Sequence, residues 1–294
     1  MKVPTLAGHT NTLLDFVGPL GGAAKLTVFS EGNHFPVLTP LLFDDAALHS
    51  GDASLADDIL LVTLPQRLLV DMLAAKRIRL GRAVLPIHPA ATYPDIVMAG
   101  EAPLRTLAER GVIEPVAVPF ARHRGLGLLV HRSCTVRSLA EALSHGELRL
   151  VFATEQEAGA REQYLRTIEA LVGGDARRQA EDREIGAFPE RLSIQHRDVP
   201  YALLQRHADV GIVFAHLAAH FAHAHPDELA FVPVAEAAAF GAWIGAAFVR
   251  DRTNALARRL WTYFLREARA RYPAAGFSAP EEFPFAQAVP LLGS

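Results

Sequence analysis

Short, continuously apolar segments alternate with helix-patterned segments along most of this chain, and this alternation limits the folds it can adopt. Strands that are apolar on both faces are typical of sheets covered by helices on each side. The sequence therefore predicts an α/β fold with mixed, mostly parallel sheets flanked by helices. The predicted strands are Leu26–Phe29, Ile59–Thr63, Asp95–Met98, Leu126–Val130, Leu148–Ala153, Val210–Phe214, Phe231–Val234 and Trp243–Val249.

The helix-patterned segments between these strands carry recognisable ends. Ser138 and Glu141 have the spacing of a capping box, and Asp198 stands just before "VPYALLQRH" as a predicted N-cap. The predicted helices are Gln66–Ile78, Ala102–Gly111, Ser138–Ser144, Ala160–Gly174 and Asn254–Pro273.

Charge and composition exclude several classes of protein. The 294 residues have a formal net charge of -3, which lacks the basic footprint that binding to nucleic-acid phosphates requires. The single cysteine, Cys134, allows neither an internal disulfide nor a cysteine metal cluster. We predict no cofactor, no nucleic-acid partner and no membrane insertion, because no apolar run reaches the roughly 18 residues of a membrane span.

The N-terminal segment does not match a signal peptide. The stretch Leu13–Ala24 is interrupted by an aspartate, a proline and glycines, so it makes a poor apolar core for export. We therefore expect a cytoplasmic protein from the sequence as written, and a periplasmic one if the start site is misassigned.

Five stretches follow one another in an order that resembles a known family. They are "PDIVMAGEAPLRTLAERGVIEP", "VPFARHRGLGLLVHRS", "LRLVFATEQEAGAREQYLRTIEAL", "IQHRDVPYALLQRHADVGIVFAHLA" and "ARYPAAGF". Together they resemble the molybdate and tungstate branch of the type II periplasmic solute-binding proteins, the ligand-capturing subunits of ABC importers. The resemblance covers roughly residues 25–277 and rests on the order and spacing of the motifs.

The resemblance implies two α/β lobes joined by crossing strands, with the ligand in the cleft between them. Lobe one is expected to comprise residues 1–122 and the return segment 235–294, and lobe two residues 123–234. The implied protein is a monomer that closes around a small molecule or inorganic anion and delivers it to an ABC permease. It binds its ligand and is not an enzyme.

The resemblance also assigns ligand contacts position by position. The family's serine after its first strand falls at about Asn33, with Ser30 close by, and its second hydroxyl falls near Thr63. Backbone donors of lobe two fall in "EAG" and "RDV". The predicted ligand-binding residues are Ser30, Glu31, Asn33, His34, Thr63, Gln66, Arg67, Ala158, Gly159, Arg197, Asp198, Val199 and Phe214.

Two positions depart from the family pattern. Phe214 stands where the family has an oxyanion-binding tyrosine, and phenylalanine cannot donate a hydrogen bond. Glu31 adds a carboxylate to a loop that should welcome an anion, although Arg67 and Arg197 could compensate for its charge. A different oxyanion, a small organic acid and a metal-containing species are therefore open alternatives to molybdate.

Other readings of the sequence stay open beside this one. His216 and His220 lie four residues apart and are weak candidates for a metal site, since no third ligand type accompanies them. A cytoplasmic ligand sensor or accessory protein would use the same fold. An enzyme would need an acid or base in the cleft, for which Glu31, His34, Glu155 and His196 are the candidates.

Overall fold

The computed structural model describes residues 15–19, 24–43, 56–80, 83–86, 93–189, 191, 193–252 and 255–293, and these form two large β-sheets flanked by helices. The strands are β1 (Asp15–Val17), β2 (Leu26–Glu31), β3 (Ile59–Leu64), β4 (Arg77–Leu80), β5 (Ala83–Pro86), β6 (Ile96–Gly100), β7 (Val116–Arg122), β8 (Leu126–His131), β9 (Leu150–Val151), β10 (Val210–Phe214), β11 (Leu229–Val232), β12 (Trp243–Phe248) and β13 (Val289–Pro290). The α-helices are α1 (Phe35–Phe43), α2 (Gln66–Ala75), α3 (Glu101–Glu109), α4 (Leu139–Ser144), α5 (Ala158–Val172), α6 (Gly174–Asp182), α7 (Val199–Leu204), α8 (Ala215–Ala224) and α9 (Ala255–Ala274). Within the described ranges, no helix combines the length and apolar character that a membrane crossing needs.

The first sheet has seven strands in the order β1-β3-β2-β6-β12-β7-β13. Its centre is parallel: β2 pairs with β3 and with β6, so that Ser30 lies opposite both Thr63 and Met98. The ends of these three strands therefore meet at one edge of the sheet. The outer pairings, through β1, β12, β7 and β13, are antiparallel.

The second sheet has four strands in the order β11-β8-β10-β9, and β4 and β5 form a separate two-stranded sheet. Only the pairing of β10 with β9 is parallel in the four-stranded sheet. The described pairings are thus more antiparallel than the sequence predicted. β12 pairs antiparallel with β6 and β7, and β8 pairs antiparallel with β10 and β11. These strands adjoin the two segments through which the chain crosses between the sheets.

Alternate residues of the central strands enter two separate cores. Leu26 and Val28 of β2 lie in an apolar cluster with α1 and α9, whereas Phe29 lies in a cluster with α2 and α3. Ile59 and Leu60 of β3 divide in the same way. Both faces of the sheet are covered, which explains why the strand sequences are apolar without interruption.

The helix ends follow the predicted pattern at one of the two caps. Ser138 Oγ accepts a hydrogen bond from Glu141 N at 3.1 Å, which caps α4. Asp198 occupies the N-cap position of α7 but makes no such bond to that helix. Its carboxylate instead accepts from Gln195 N and from Arg191 Nε, each at 2.9 Å, so it organises the preceding loop.

The chain crosses between the two sheets through segments that touch backbone to backbone. One crossing runs from β7 to β8 through His123 and Gly125, and the other runs from β11 to β12 through Gly241. A Cβ on Gly241 would lie 1.8 Å from the His123 carbonyl oxygen, and one on Gly125 would lie 2.0 Å from the Ala237 oxygen. Gly125 also has a φ of +73°. Both glycines are required by this close approach. The lobe limits 1–122, 123–234 and 235–294 stay a prediction.

Replacing Gly241 by alanine is expected to destabilise the fold by about 3 kcal/mol, the upper end of the usual cost of overpacking, because one backbone must move away from the other. Urea unfolding of Gly241→Ala against the unchanged protein measures this loss. The control is Gly146→Ala, since a Cβ at that exposed position meets nothing within 4 Å. Equal unfolding midpoints for the two variants would contradict the proposed role of the crossing.

Candidate functional site

Three strand ends of the first sheet form one wall of a cleft. β2 ends at Glu31 and continues through a short 3-10 turn into α1. β3 leads through Pro65 into α2, and β6 leads directly into α3. Because these strands are parallel neighbours, their carboxyl ends and the helix N-termini that follow lie side by side, which is the usual place for a ligand in an α/β sheet.

Segments of the second sheet form the facing wall. They are the 3-10 turn Glu155–Glu157 with the start of α5, the loop that carries His196 and Arg197, and Phe214 at the end of β10. A cavity of about 310 Å³ lies between the walls, next to one of about 490 Å³ and a small one of about 20 Å³. The first two have the size of ordinary small-molecule sites, roughly 300–1,000 Å³.

Glu31 is a buried carboxylate at the centre of the cleft, lining both larger cavities with only 1% of its surface exposed. Its Oε2 accepts from Gly100 N at 3.0 Å and from Gln66 Nε2. Its Oε1 has no hydrogen-bond partner among the described residues, and His123 Nε2 lies 4.0 Å away. Burial raises the pKa of Glu31, while the amide groups of Gly100, Asn33 and Gln66 act in the opposite direction.

Glu157 reaches the same cavity from the other wall. Its Oε2 lies 3.1 Å from His196 Nε2 and accepts from His196 N at 3.2 Å. Burial raises the pKa of Glu157 to about 8; the charges of Asp198 and Glu31 add to the rise, and the His196 N–H opposes it. Burial lowers the pKa of His196 to about 3. At neutral pH the pair is therefore mainly a carboxylic acid beside a neutral imidazole, whose Nδ1 lies 3.0 Å from the Tyr164 hydroxyl.

Aromatic rings pack behind the cleft where the chain crosses between the sheets. The His123 ring stacks on Phe214 with centroids 4.2 Å apart, and His216 stacks on Phe277 at 4.0 Å. Burial, reinforced by the charges of the surrounding histidines, lowers the pKa of His123 well below its usual value. The Phe214 ring thus contributes an apolar surface to the larger cavity, in place of the hydroxyl that the resemblance expects.

A few side chains join the two walls directly. The Arg197 guanidinium lies 4.1 Å from the centroid of the Phe35 ring, and its Nη2 lies 3.4 Å from Thr63 Oγ1. His216 Nε2 donates to the Asn33 carbonyl at 2.9 Å. Burial lowers the pKa of Arg197 to about 10, with the charge of Asp198 opposing the shift, so Arg197 stays protonated at neutral pH.

Most of the residues predicted from the sequence line these cavities. Six of them line the cavity of about 310 Å³ or the larger one: Glu31, Asn33, Gln66, Arg67, Gly159 and Ala158. Thr63 and Arg197 line the small cavity, and Phe214 lines the larger one. Whether these residues contact a ligand stays a prediction.

Four predicted residues lie elsewhere, in the packed layer around the cleft. Ser30 Oγ lies 2.8 Å from His34 Nε2, and His34 Nδ1 lies 2.7 Å from the Tyr272 hydroxyl. Asp198 serves the loop before α7, and Val199 packs against β10, where a Cβ on Gly211 would meet it at 2.5 Å. None of the four lines the three cavities, because their side chains are engaged inside the lobes.

The two histidines considered for a metal have other contacts. His216 is buried and bonded to the Asn33 carbonyl, and His220 packs edge-on against Phe35. Among the residues whose positions are described, no three His, Cys, Asp or Glu side chains are grouped so as to hold a metal ion. α8 therefore packs against the first wall of the cleft through these two histidines.

Sequence reasoning missed Glu157 and His123 as cleft residues. Glu157 immediately precedes the predicted Ala158 in "EAG", so the position was within reach of the motif. His123 lies in the crossing segment "FARHRG", where nothing in the local pattern distinguishes it from a surface residue.

Acidification is expected to destabilise the fold, because burial lowers the pKa of His34, His196 and His216 to about 3. The unfolded chain takes up these protons near pH 6.5, so the stability supplied by the neutral rings is lost as the pH falls from there toward 3. Each ring contributes a slope of about 1.4 kcal/mol per pH unit within that window. Glu157 acts oppositely: its contribution is present below pH 4.5 and is lost as the pH rises through about 8. Urea unfolding at about pH 7 and about pH 5 measures the net slope.

The matched variants are His216→Phe, which keeps a ring against Phe277, and His223→Phe at an exposed position of the same helix. The first should lower the slope by the contribution of one ring, about 1.4 kcal/mol per pH unit. The second is the control for the effect of adding a phenylalanine to this helix. An identical slope in His216→Phe and the unchanged protein would contradict this assignment.

Comparison with known proteins identifies the fold. No family model matches this chain, and no curated protein matches it. A substrate-binding domain assigned to a molybdenum ABC transporter from Clostridium difficile matches with a TM-score of 0.56 and 11% identity over 86% of this chain and 98% of that chain. The sulfate-binding protein SubI from Mycobacterium tuberculosis H37Rv matches with a TM-score of 0.61 and 13% identity over 86% and 85%. A periplasmic thiamin binding protein matches with a TM-score of 0.58 and 13% identity over 88% and 83%. At such identities the likeness concerns the fold: the predicted two-lobed type II periplasmic-binding-protein fold is confirmed, and the molybdenum protein is one of several kinds that share it.

Proposed function

We propose that this protein is a solute-binding protein that captures a small molecule with an anionic group in the cleft between its sheets, without converting it. The observation that carries the proposal is the pair of adjoining cavities enclosed by strand ends of one sheet and loops of the other. The similar structures are named as a substrate-binding domain of a molybdenum ABC transporter, a sulfate-binding protein and a thiamin binding protein, which supports binding in place of catalysis.

Helix N-termini support an anionic group on the ligand. The first residues of α2, α3 and α5 line the two larger cavities. None of these three helices has a side-chain hydrogen bond at its N-cap. Their N–H groups and partial positive charge therefore suit an oxyanion, a carboxylate or a phosphate.

The size of the site favours an organic molecule over a bare oxyanion. A single water needs roughly 10–15 Å³ of such cavity volume, whereas the first cavity alone has about 310 Å³. The apolar face of Phe214 in the neighbouring cavity also suits a carbon skeleton. Molybdate and tungstate, implied by the sequence resemblance, remain the inorganic members of the proposed ligand class.

The proposed role includes delivery of the ligand to an ABC permease by a monomeric protein. A role in import requires a periplasmic location, whereas the alternative role as a ligand sensor requires a cytoplasmic one. Fractionation of cells that express the tagged full-length protein separates the two.

Ligand binding is expected to raise the unfolding temperature, because a ligand that binds only the folded state stabilises it by about 2.7 kcal/mol at a hundredfold excess over Kd. Thermal unfolding and calorimetric titration with molybdate, tungstate, sulfate, phosphate and small organic acids measure this. Gly159→Leu should abolish this stabilisation by the ligand, because even a Cβ added at Gly159 would lie 3.3 Å from Gln66 Oε1 at the cavity wall.

The control is Gly174→Leu, placed at the start of α6, where a Cβ meets nothing within 4 Å. It should bind as the unchanged protein does. Full binding by Gly159→Leu would place the ligand outside the cleft and contradict the proposal.

A further inference from the structure

Two buried oxygen atoms in the cleft have no hydrogen-bond donor. Glu31 Oε1 and Asn33 Oδ1 lack a partner within the described part of the chain, although the two residues are only 1% and 6% exposed. Both residues line the cavity of about 310 Å³. A buried acceptor without a donor is costly, and native proteins seldom leave one unsatisfied. The donor that these oxygens need can enter through the cavity.

Among the described residues, no positively charged side chain is bonded to the Glu31 carboxylate. His123 Nε2 lies 4.0 Å from Glu31 Oε1, and burial lowers the pKa of that imidazole, so it is neutral at neutral pH. Arg197 is directed to Phe35 and Thr63, in the small cavity. A buried carboxylate is normally matched by a positive charge. Among the described residues that line this cavity, the cationic side chain is Arg67 at its exposed rim, so a molecule in the cleft can supply the matching charge.

A third acceptor faces the same space from the opposite wall. Glu157 lines the cavity with Glu31. The charge of Glu31 contributes to raising the pKa of Glu157, so the two carboxyl groups interact electrostatically. An ammonium group has three N–H donors and no acceptor. Glu31, Asn33 and Glu157 together supply the three oxygen acceptors that such a group requires.

We infer that the ligand is a small zwitterion, whose ammonium group is held by Glu31, Asn33 and Glu157 while its acidic group lies at the N-termini of α2 and α5. The inference rests on the proposed function, since it specifies the second charged group of the same ligand. The ammonium group of such a ligand meets the oxygen acceptors of the cavity, and its acidic group meets the partial positive charge of the helix N-termini.

Three pairs of acids that differ only by an amino group test the inference by calorimetric titration at neutral pH. They are 2-aminoethyl phosphate with ethyl phosphate, taurine with ethanesulfonate, and β-alanine with propionate. In at least one pair the amino member should bind more tightly by about tenfold or more, because charge-assisted hydrogen bonds to a buried carboxylate are among the stronger ones.

Glu31→Gln should reduce that preference to less than about threefold while leaving the fold intact, because the substitution keeps the side-chain size and removes a buried charge. Its unfolding temperature without ligand should equal or exceed that of the unchanged protein. The control Glu109→Gln, at an exposed position at the end of α3, should retain the full preference.

The outcomes separate this inference from the proposed function. The inference of a zwitterionic ligand is wrong if the amino-free acids or the inorganic oxyanions bind as tightly as the amino members of the pairs. It is also wrong if Glu31→Gln keeps the preference. In both cases the proposed binding function stands. If none of the six compounds and none of the inorganic oxyanions binds, both proposals fail together.

Discussion

The contact between the two crossing segments fixes the cleft on which the rest of this site depends. The Gly241 backbone lies against the His123 carbonyl, and the Gly125 backbone lies against that of Ala237, with no room for a side chain at either place. His123 is thus held by its backbone at the crossing, while its ring stacks on Phe214 and approaches Glu31. A change in the angle between the sheets would therefore move the surroundings of Glu31 directly.

Behind each wall of the cleft, neutral polar groups are joined by hydrogen bonds. His34 links Ser30 to Tyr272 in one lobe wall, and His196 links Glu157 to Tyr164 in the other. Each imidazole can donate with one nitrogen and accept with the other, so neutral rings satisfy their neighbours without a buried charge. Such networks hold the walls rigidly before any ligand arrives, which lowers the cost of ordering them on binding. Glu31 Oε1 is a place where a network of this kind is left incomplete.

The sequence was sufficient for the α/β class because the pattern that encodes it is local. Apolar runs such as those of β3 and β10 require cover on both faces, and their order along the chain fixes the alternation with helices. Gln66 and Gly159 were placed at the cleft through the family resemblance, and both begin a helix at an edge of the cleft, where ligands of α/β sheets usually lie.

The sequence was insufficient where a side chain's direction or a distant neighbour decides the outcome. β2 continues to Glu31, two residues beyond its predicted end. Because successive residues of a strand point to opposite faces of the sheet, this extension directs the side chains of Ser30 and Glu31 to opposite sides. Ser30 consequently bonds to His34, and the next residue, Glu31, lines the cavity. Glu31 ends β2 and Glu157 lies in the 3-10 turn before α5, and the two line one cavity only in the folded chain, so no spacing in the sequence could reveal it.

The combination of a buried carboxylate and helix N-termini gives this cleft a basis for selectivity against ions of either sign. A unit charge about 4 Å from a like charge costs about 4 kcal/mol at an effective dielectric constant of roughly 20, which corresponds to nearly a thousandfold in affinity. An anion that binds near Glu31 without a compensating nitrogen meets this repulsion, and a simple cation leaves the N-termini of α2 and α5 without a partner. Discrimination by unfavourable contacts of this kind is as effective as discrimination by favourable ones. The carboxylate that is difficult to reconcile with a bare oxyanion is therefore the feature that can separate a doubly charged organic ligand from the simple ions around it.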